Sequence, residues 1–308
     1  MSIYYNNQIT EINNEELYYE GLDSVNKSLE ISKSINKTID EKYNIFVYWI
    51  GNNINYKQSV VVKSFLATQN LKNTTLKIYS DEKISDNPVF DRYREFEQVE
   101  FHIFNLKEEI KGTQYENNFK YVDEIIEHKF NAPYESDFFR LLMLNKYGGF
   151  YIDFDVLLLR DLSPLLKYDF LYQWGSYPNN MINGAIMHLK KDSVVNDEMT
   201  KNLLNSNARP GSGSLHWASD LYVDVKSSNP ELVIFPAAFF NPEWQSNCHV
   251  KIDYLLEPMK MHDYSNMMYD GSFTWHWHNR WNEPIEIDSK FDILDKKLEN
   301  DFIKKFYN

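Results

Sequence analysis

Two carboxylates separated by one residue, Asp153 and Asp155, follow a short apolar run, Phe150-Tyr151-Ile152, and a Gly148-Gly149 pair. Close carboxylates repel and raise each other's pKa unless a cation sits beside them. Oxygen ligands of this kind suit a hard divalent ion, Mn²⁺ or Mg²⁺, which typically binds through one or two carboxylates plus substrate phosphates. The tripeptide alone would describe a solvated loop. An apolar strand ending in the pair changes the reading, because the C-terminal end of a parallel strand is where α/β proteins place ligands. Asp137 and Arg140 stand three residues apart just upstream. On a helix they share a face and can pair, and both ends of that helix-strand unit face one cleft. The chemistry expected is metal-assisted handling of a nucleotide diphosphate.

The elements that must position these residues alternate. Asn44 to Gly51 is a continuous apolar run closed by glycine, the pattern of a buried strand. A helix over 57–69, strands over 75–79 and 99–104, and a helix over 91–98 follow. A helix over 134–147 is stopped by Gly148-Gly149. Further strands are predicted at 170–174, 185–189 and 232–235, with helices at 194–205 and 215–225 and a charged amphipathic helix at 293–306. Strands alternating with helices predict an α/β fold, a Rossmann-related parallel sheet covered on both faces. Residues 1–42 read as a helical N-terminal extension and 43–308 as one catalytic domain.

The 308 residues carry a net charge of −13, opposite to the basic field of a nucleic-acid or anionic-membrane binder. Hydrophobic residues at 43% exclude disorder, and 22 Tyr and 20 Phe supply a sizeable core. Cys248 is the single cysteine, which excludes a disulfide framework and a thiolate zinc cluster. It reads as an inert, partly buried thiol. No apolar run approaches a membrane span and no secretory signal is visible, so a cytoplasmic protein is expected.

The stretch Ser136 to Asp155, with Ser136-Asp137, Arg140, Leu144, Gly148-Gly149, Tyr151 and Asp153-Phe-Asp155 in fixed spacing, resembles the signature of the DXD-motif (sugar-binding-region) glycosyltransferases. It is similar to glycosyltransferase family 32 and to the glucosylating-toxin catalytic domains. Tyr48-Trp49-Ile50-Gly51 resembles their first-strand motif, and Trp275 to Trp281 their C-terminal element, so the likeness extends over about residues 44–282. The resemblance implies a GT-A-like fold and a metal-dependent, retaining transfer of a hexose from a nucleotide-diphosphate sugar, UDP-hexose favoured. The acceptor would be a glycan, lipid or protein.

The same resemblance implies individual roles. Trp49, with Ile50 and Gly51, would hold the base, Ser136 the base or ribose, and Asn183 the sugar and acceptor side. Asp137 and Arg140 would contact the transferred sugar, Asp153 ribose and sugar hydroxyls. Asp155, His276 and Asn279 would be the metal-side ligands, and the Trp281 indole would reach a phosphate. Asn279 and Arg280 stand where the family more often has a small residue, and His278 competes with His276. The element from 271 to 284 is expected to act as a mobile lid; alternating Trp and His also describe a fixed half-buried strand. Pro210 to Ser214 is a Gly-rich turn that could hold an anion. Two other readings stay open: a haloacid-dehalogenase-like phosphatase, which also uses Asp-x-Asp at a strand end, and a non-catalytic carbohydrate-binding module.

Overall fold

The computed structural model describes residues 2–5, 8–11, 21–127, 129, 132–173, 182–205, 217–242 and 270–307. Cys248 and the Gly-rich turn at 210–214 lie outside them. Within the N-terminal extension, β1 (Ser2–Tyr5) and β2 (Gln8–Glu11) pair antiparallel, and α1 (Gly21–Ser34) follows. The main body then runs β3 (Tyr43–Trp49), α2 (Tyr56–Thr68), β4 (Thr74–Ser80), β5 (Val99–Ile103), α3 (Leu106–Glu109) and α4 (Val122–Ile126). Next come α5 (Ala132–Tyr147), β6 (Gly149–Ile152), β7 (Val156–Leu158), β8 (Phe170–Gln173), β9 (Ile182–Leu189) and α6 (Val194–Asn205). α7 (Trp217–Ser228), β10 (Val233–Phe235), β11 (Thr274–His276) and α8 (Lys290–Phe306) complete it.

Seven strands form the central sheet in the order β10-β8-β9-β6-β3-β4-β5. Strands β6, β3, β4 and β5 are mutually parallel, as are β10 and β8. Strand β9 runs antiparallel to both of its neighbours, so the sheet is mixed where all-parallel pairing was expected. A strand buried on both faces has no alternation to betray its direction, and every residue of β9 is buried. The fold is mixed α/β, a seven-stranded sheet with helices packed against it. The expected helix at 91–98 is instead a series of turns behind a single 3-10 turn, Pro88–Phe90. Polar Arg92, Arg94, Glu95 and Glu97 leave too narrow an apolar stripe to hold a helix on the sheet.

Alternation along β3 splits the core into two layers. Ile45 and Val47 face α2, α8 and the indoles of Trp275 and Trp277; Phe46 and Tyr48 face α5. Helix α2 is held by an Asn55 capping box with Gln58. Helix α5 ends as the glycine pair predicts: Gly148 adopts φ +68° and its N–H donates to the Leu144 carbonyl. Gly149, at φ +108°, lies so close to β3 that a Cβ there would sit 2.6 Å from the Asn44 carbonyl oxygen. Only glycine lets β6 enter the sheet beside β3 at this point. Helix α1 packs Val25 and Leu29 against Ala238. Arg160 ties its end to the body, donating to the Ser32, Ile35 and Gly271 carbonyls while its guanidinium lies 4.2 Å from the Phe273 ring. No helix among the described residues is long and apolar enough to cross a membrane.

Candidate active site

Strand β6 ends at Ile152, and the chain then leaves the sheet. The Asp153 N–H donates to the Ala185 carbonyl of β9, and the Val156 N–H donates back to the Asp153 carbonyl, closing a turn that carries Asp153-Phe154-Asp155. Beyond the turn, β7 pairs antiparallel with β11 in a register that sets His276 opposite Val156. The Trp277 N–H donates to the Asp155 carbonyl, continuing that ladder by one residue. A strand more than a hundred residues downstream thereby delivers an imidazole to the acidic turn. The small β7–β11 pair was not foreseen, because three-residue strands are too short for a periodicity to register.

The turn faces a cavity of about 490 Å³. One ligand atom each from Asp153, Asp155 and His276 lies within 4.8 Å of the others. His276 Nε2 is 3.1 Å from Asp155 Oδ1, and the Asn279 backbone N–H donates to Asp155 Oδ2 at 2.7 Å. Two carboxylates and an imidazole are a donor set suited to Mn²⁺, so the residues fit a divalent ion. The Asn279 backbone orients Asp155, while its side-chain oxygen accepts from the Trp281 indole N–H at 3.1 Å. His278 and Asn279 both adopt left-handed backbone, φ +54° and +57°. That reversal turns the Asn279 amide toward Asp155, and Gly or Asn tolerates it best.

Arg140, only 5% exposed, organises the other side. Its Nη2 donates to Asp137 Oδ1 at 2.9 Å and to Asp153 Oδ1 at 3.0 Å. The guanidinium lies 4.5 Å from the Tyr151 ring, whose hydroxyl donates to the same Asp153 oxygen at 2.7 Å. Ser136, one helical turn earlier, contacts Arg140 through its carbonyl and hydroxyl oxygens. Burial pushes the Asp137 carboxyl up to about 6, with Arg140 opposing and Asp153 adding. Burial likewise raises Asp153 against the pull of Arg140. Burial disfavours the charged forms of Asp155 and His276 too, but each outweighs it for the other. Asp155 is held below the usual carboxylate range and His276 is raised. His278 is pushed down by burial and by His276, whose ring centroid is 4.0 Å away.

Of the donor-side residues read from the sequence, Trp49, Ile50, Ser136, Asn183 and Trp281 line the cavity together with Asp137 and Arg140. Trp49 meets Trp281 edge-on at 4.6 Å, so the first-strand motif and the C-terminal element touch. Gly51 does not line the cavity: its N–H turns away to Asp81 Oδ1 at 2.6 Å. Asn183 Oδ1 accepts the Ala185 N–H at 2.7 Å, which bends the start of β9. Within the segment expected to act as a lid, Trp275 and Trp277 are wholly buried and His276 sits in β11. Tyr151, Phe154 and Tyr222 also line the cavity, and the Tyr172 hydroxyl lies 3.5 Å from His276 Nδ1. In a chain so rich in aromatics, nothing in their spacing separates them from core residues.

Residues 31–172 match the family model described as the glycosyltransferase sugar-binding region containing the DXD motif. No curated protein matches the sequence. Among solved structures, the chain is similar to PaToxG glycosyltransferase at 17% identity, covering 68% of this chain and 77% of that one, with a TM-score of 0.47. It is similar to mouse xyloside xylosyltransferase 1 at 13% identity over 79% of this chain and 99% of that one, with a TM-score of 0.46. It also resembles the glycosyltransferase GlyE of Streptococcus pneumoniae at 9% identity and a TM-score of 0.46, covering 87% of this chain and 64% of that one. The acidic turn at the end of β6, Asp153-Phe154-Asp155, lies inside that matched region.

Proposed function

We propose that the protein transfers a hexose, with retention of configuration, from a nucleotide-diphosphate sugar to a hydroxyl acceptor, and that Mn²⁺ is the resident ion and UDP-hexose the donor. The observation that carries this reading is the gathering of Asp153, Asp155 and His276 in one cavity with Arg140 and Trp49. Asp153, Asp155 and His276 would hold the metal, which supplies Lewis-acid stabilisation of the charge on a departing diphosphate. The remaining work falls to the chain. Trp49 offers a π-face to a base. Arg140 holds Asp137 and Asp153 at set positions, so that their free oxygens accept from sugar hydroxyls. Trp281, whose N–H turns to Asn279 in the free protein, can exchange that bond for a phosphate oxygen.

Residues 43–308 form the transferase unit in this reading, with 1–42 as an extension. Incubation with a panel of nucleotide sugars and Mn²⁺, followed by assay of nucleotide diphosphate release, tests it. Release from one donor, abolished by chelation and restored by Mn²⁺, is expected. Absence of release from every donor, or release indifferent to the chelator, would overturn it.

A further inference from the structure

Helix α7 forms the cavity wall facing the acidic turn, through Ala218, Ser219 and Tyr222. It is pinned to the start of β9, where the Ile182 N–H donates to Ser219 Oγ at 2.9 Å. Tyr222, one turn on, is 1% exposed. Its hydroxyl stands close enough to Arg140 to interact with it, but makes no well-aligned hydrogen bond to any neighbour. Buried hydroxyls are nearly always bonded, because leaving one without a partner destabilises the fold. The approach is also close. A Cβ on Gly184 would lie 2.7 Å from the Tyr222 hydroxyl and 2.9 Å from Arg140 Nη1, so the glycine leaves the space in which these two groups converge. Burial keeps the phenol protonated, against the pull of Arg140.

We propose that Tyr222 is a donor-sugar contact, its hydroxyl bonding a hydroxyl of the transferred sugar next to Arg140. The inference rests on the glycosyltransferase reading above. The groups around Tyr222 explain the choice of partner. Asp137 and Asp153 as carboxylates only accept hydrogen bonds, and Arg140 only donates. A sugar hydroxyl does both, and a neutral phenol is the matching group that also does both. Phosphate oxygens only accept, and Trp49 with the Asp155–His276 side of the cavity stands ready for the nucleotide diphosphate.

Tyr222→Phe keeps the ring and deletes only the hydroxyl oxygen. The melting temperature should be unchanged or rise by roughly 2–4 °C, since a group without a well-aligned bond is removed. Calorimetry with Mn²⁺ then compares two probes, the nucleotide diphosphate and the intact nucleotide sugar. Nucleotide diphosphate affinity should match wild type, while preference for the intact donor falls about five- to tenfold, and turnover with it. Equal donor preference and turnover in wild type and variant would overturn the role of Tyr222 while leaving the glycosyltransferase reading in place. A wild-type protein that neither binds nor cleaves any nucleotide sugar would overturn both. A reduced affinity for the bare nucleotide diphosphate by the same factor would also refute it, because the hydroxyl would then not be reading the sugar.

Discussion

Asp155→Asn separates two jobs done by one carboxylate. Oδ2 accepts the Asn279 N–H at 2.7 Å, and an asparagine oxygen can keep that bond. Oδ1 faces His276 Nε2 at 3.1 Å, where the new amide would meet a neutral imidazole. Charge is therefore what is lost, at a residue only 2% exposed. Removing one member of a buried ion pair costs about 3–5 kcal/mol when the other charge has to stay. His276 can shed its proton, so the expected loss near neutrality is nearer that of a charged hydrogen bond, about 1.5–3 kcal/mol. Its pH dependence has a fixed sign. The raised His276 contributes stability that is complete below its unfolded value of 6.5 and is lost as pH rises through the folded value. The lowered Asp155 contributes stability present above 3.8 and lost as pH falls through its folded value. In metal-free protein the advantage of wild type over the variant should thus be greatest between 3.8 and 6.5 and shrink at alkaline pH. Metal binding has the opposite trend, since His276 must release a proton: wild-type Mn²⁺ affinity should rise with pH until that proton is gone. Outer-shell partners of metals are worth about 10–100-fold in affinity, so loss of a direct ligand should cost at least about 100-fold. Urea denaturation at acid and alkaline pH measures the first effect, and Mn²⁺ titration followed by electron paramagnetic resonance the second. Unchanged Mn²⁺ affinity would remove Asp155 as a ligand; a stability difference independent of pH would remove the pairing with His276.

Three further substitutions probe how the site is held. Gly149→Ala should destabilise the protein by roughly 3 kcal/mol or more, because its Cβ meets the Asn44 backbone carbonyl at 2.6 Å and neither strand can retreat; a wild-type denaturation midpoint would contradict this. Lys57, buried on α2, donates to the Arg280 and Glu283 carbonyls and lies 5.3 Å from the Trp277 ring. Lys57→Met should therefore loosen residues 278–283 while 274–277 stay protected, and equal hydrogen exchange of both segments in wild type and variant would show that the lysine does not latch them. Trp49→Ala should weaken donor binding by about 1–3 kcal/mol through lost stacking, and an unaltered donor dissociation constant would exclude that contact.

Much of the sheet could be read along the chain because its strands announce themselves locally. Tyr43–Trp49 is apolar and closed by Gly51, and the glycine pair ending α5 marks the start of β6. Direction was not legible. Ile182–Leu189 is buried along its whole length, and a strand with no polar face looks the same pointing either way. The antiparallel course of β9 depends on which neighbours it joins, β6 and β8, and that is settled by tertiary packing.

The candidate site divides in the same manner. Asp137, Arg140, Asp153 and Asp155 lie within twenty residues, on one helix and on the turn that ends the next strand, so their convergence follows from local geometry once the helix and strand are known. His276 reaches them only through the register of β11 on β7, and Trp281 reaches Trp49 only through the left-handed reversal at His278 and Asn279. Spacing within Trp275 to Trp281 could nominate the histidines but not say which atom of Asn279 faces Asp155. The backbone N–H does, set there by a left-handed turn that Asn and Gly adopt most readily. The contact to Asp155 is made by the Asn279 backbone, and the side chain enters only through how readily that backbone turns left-handed.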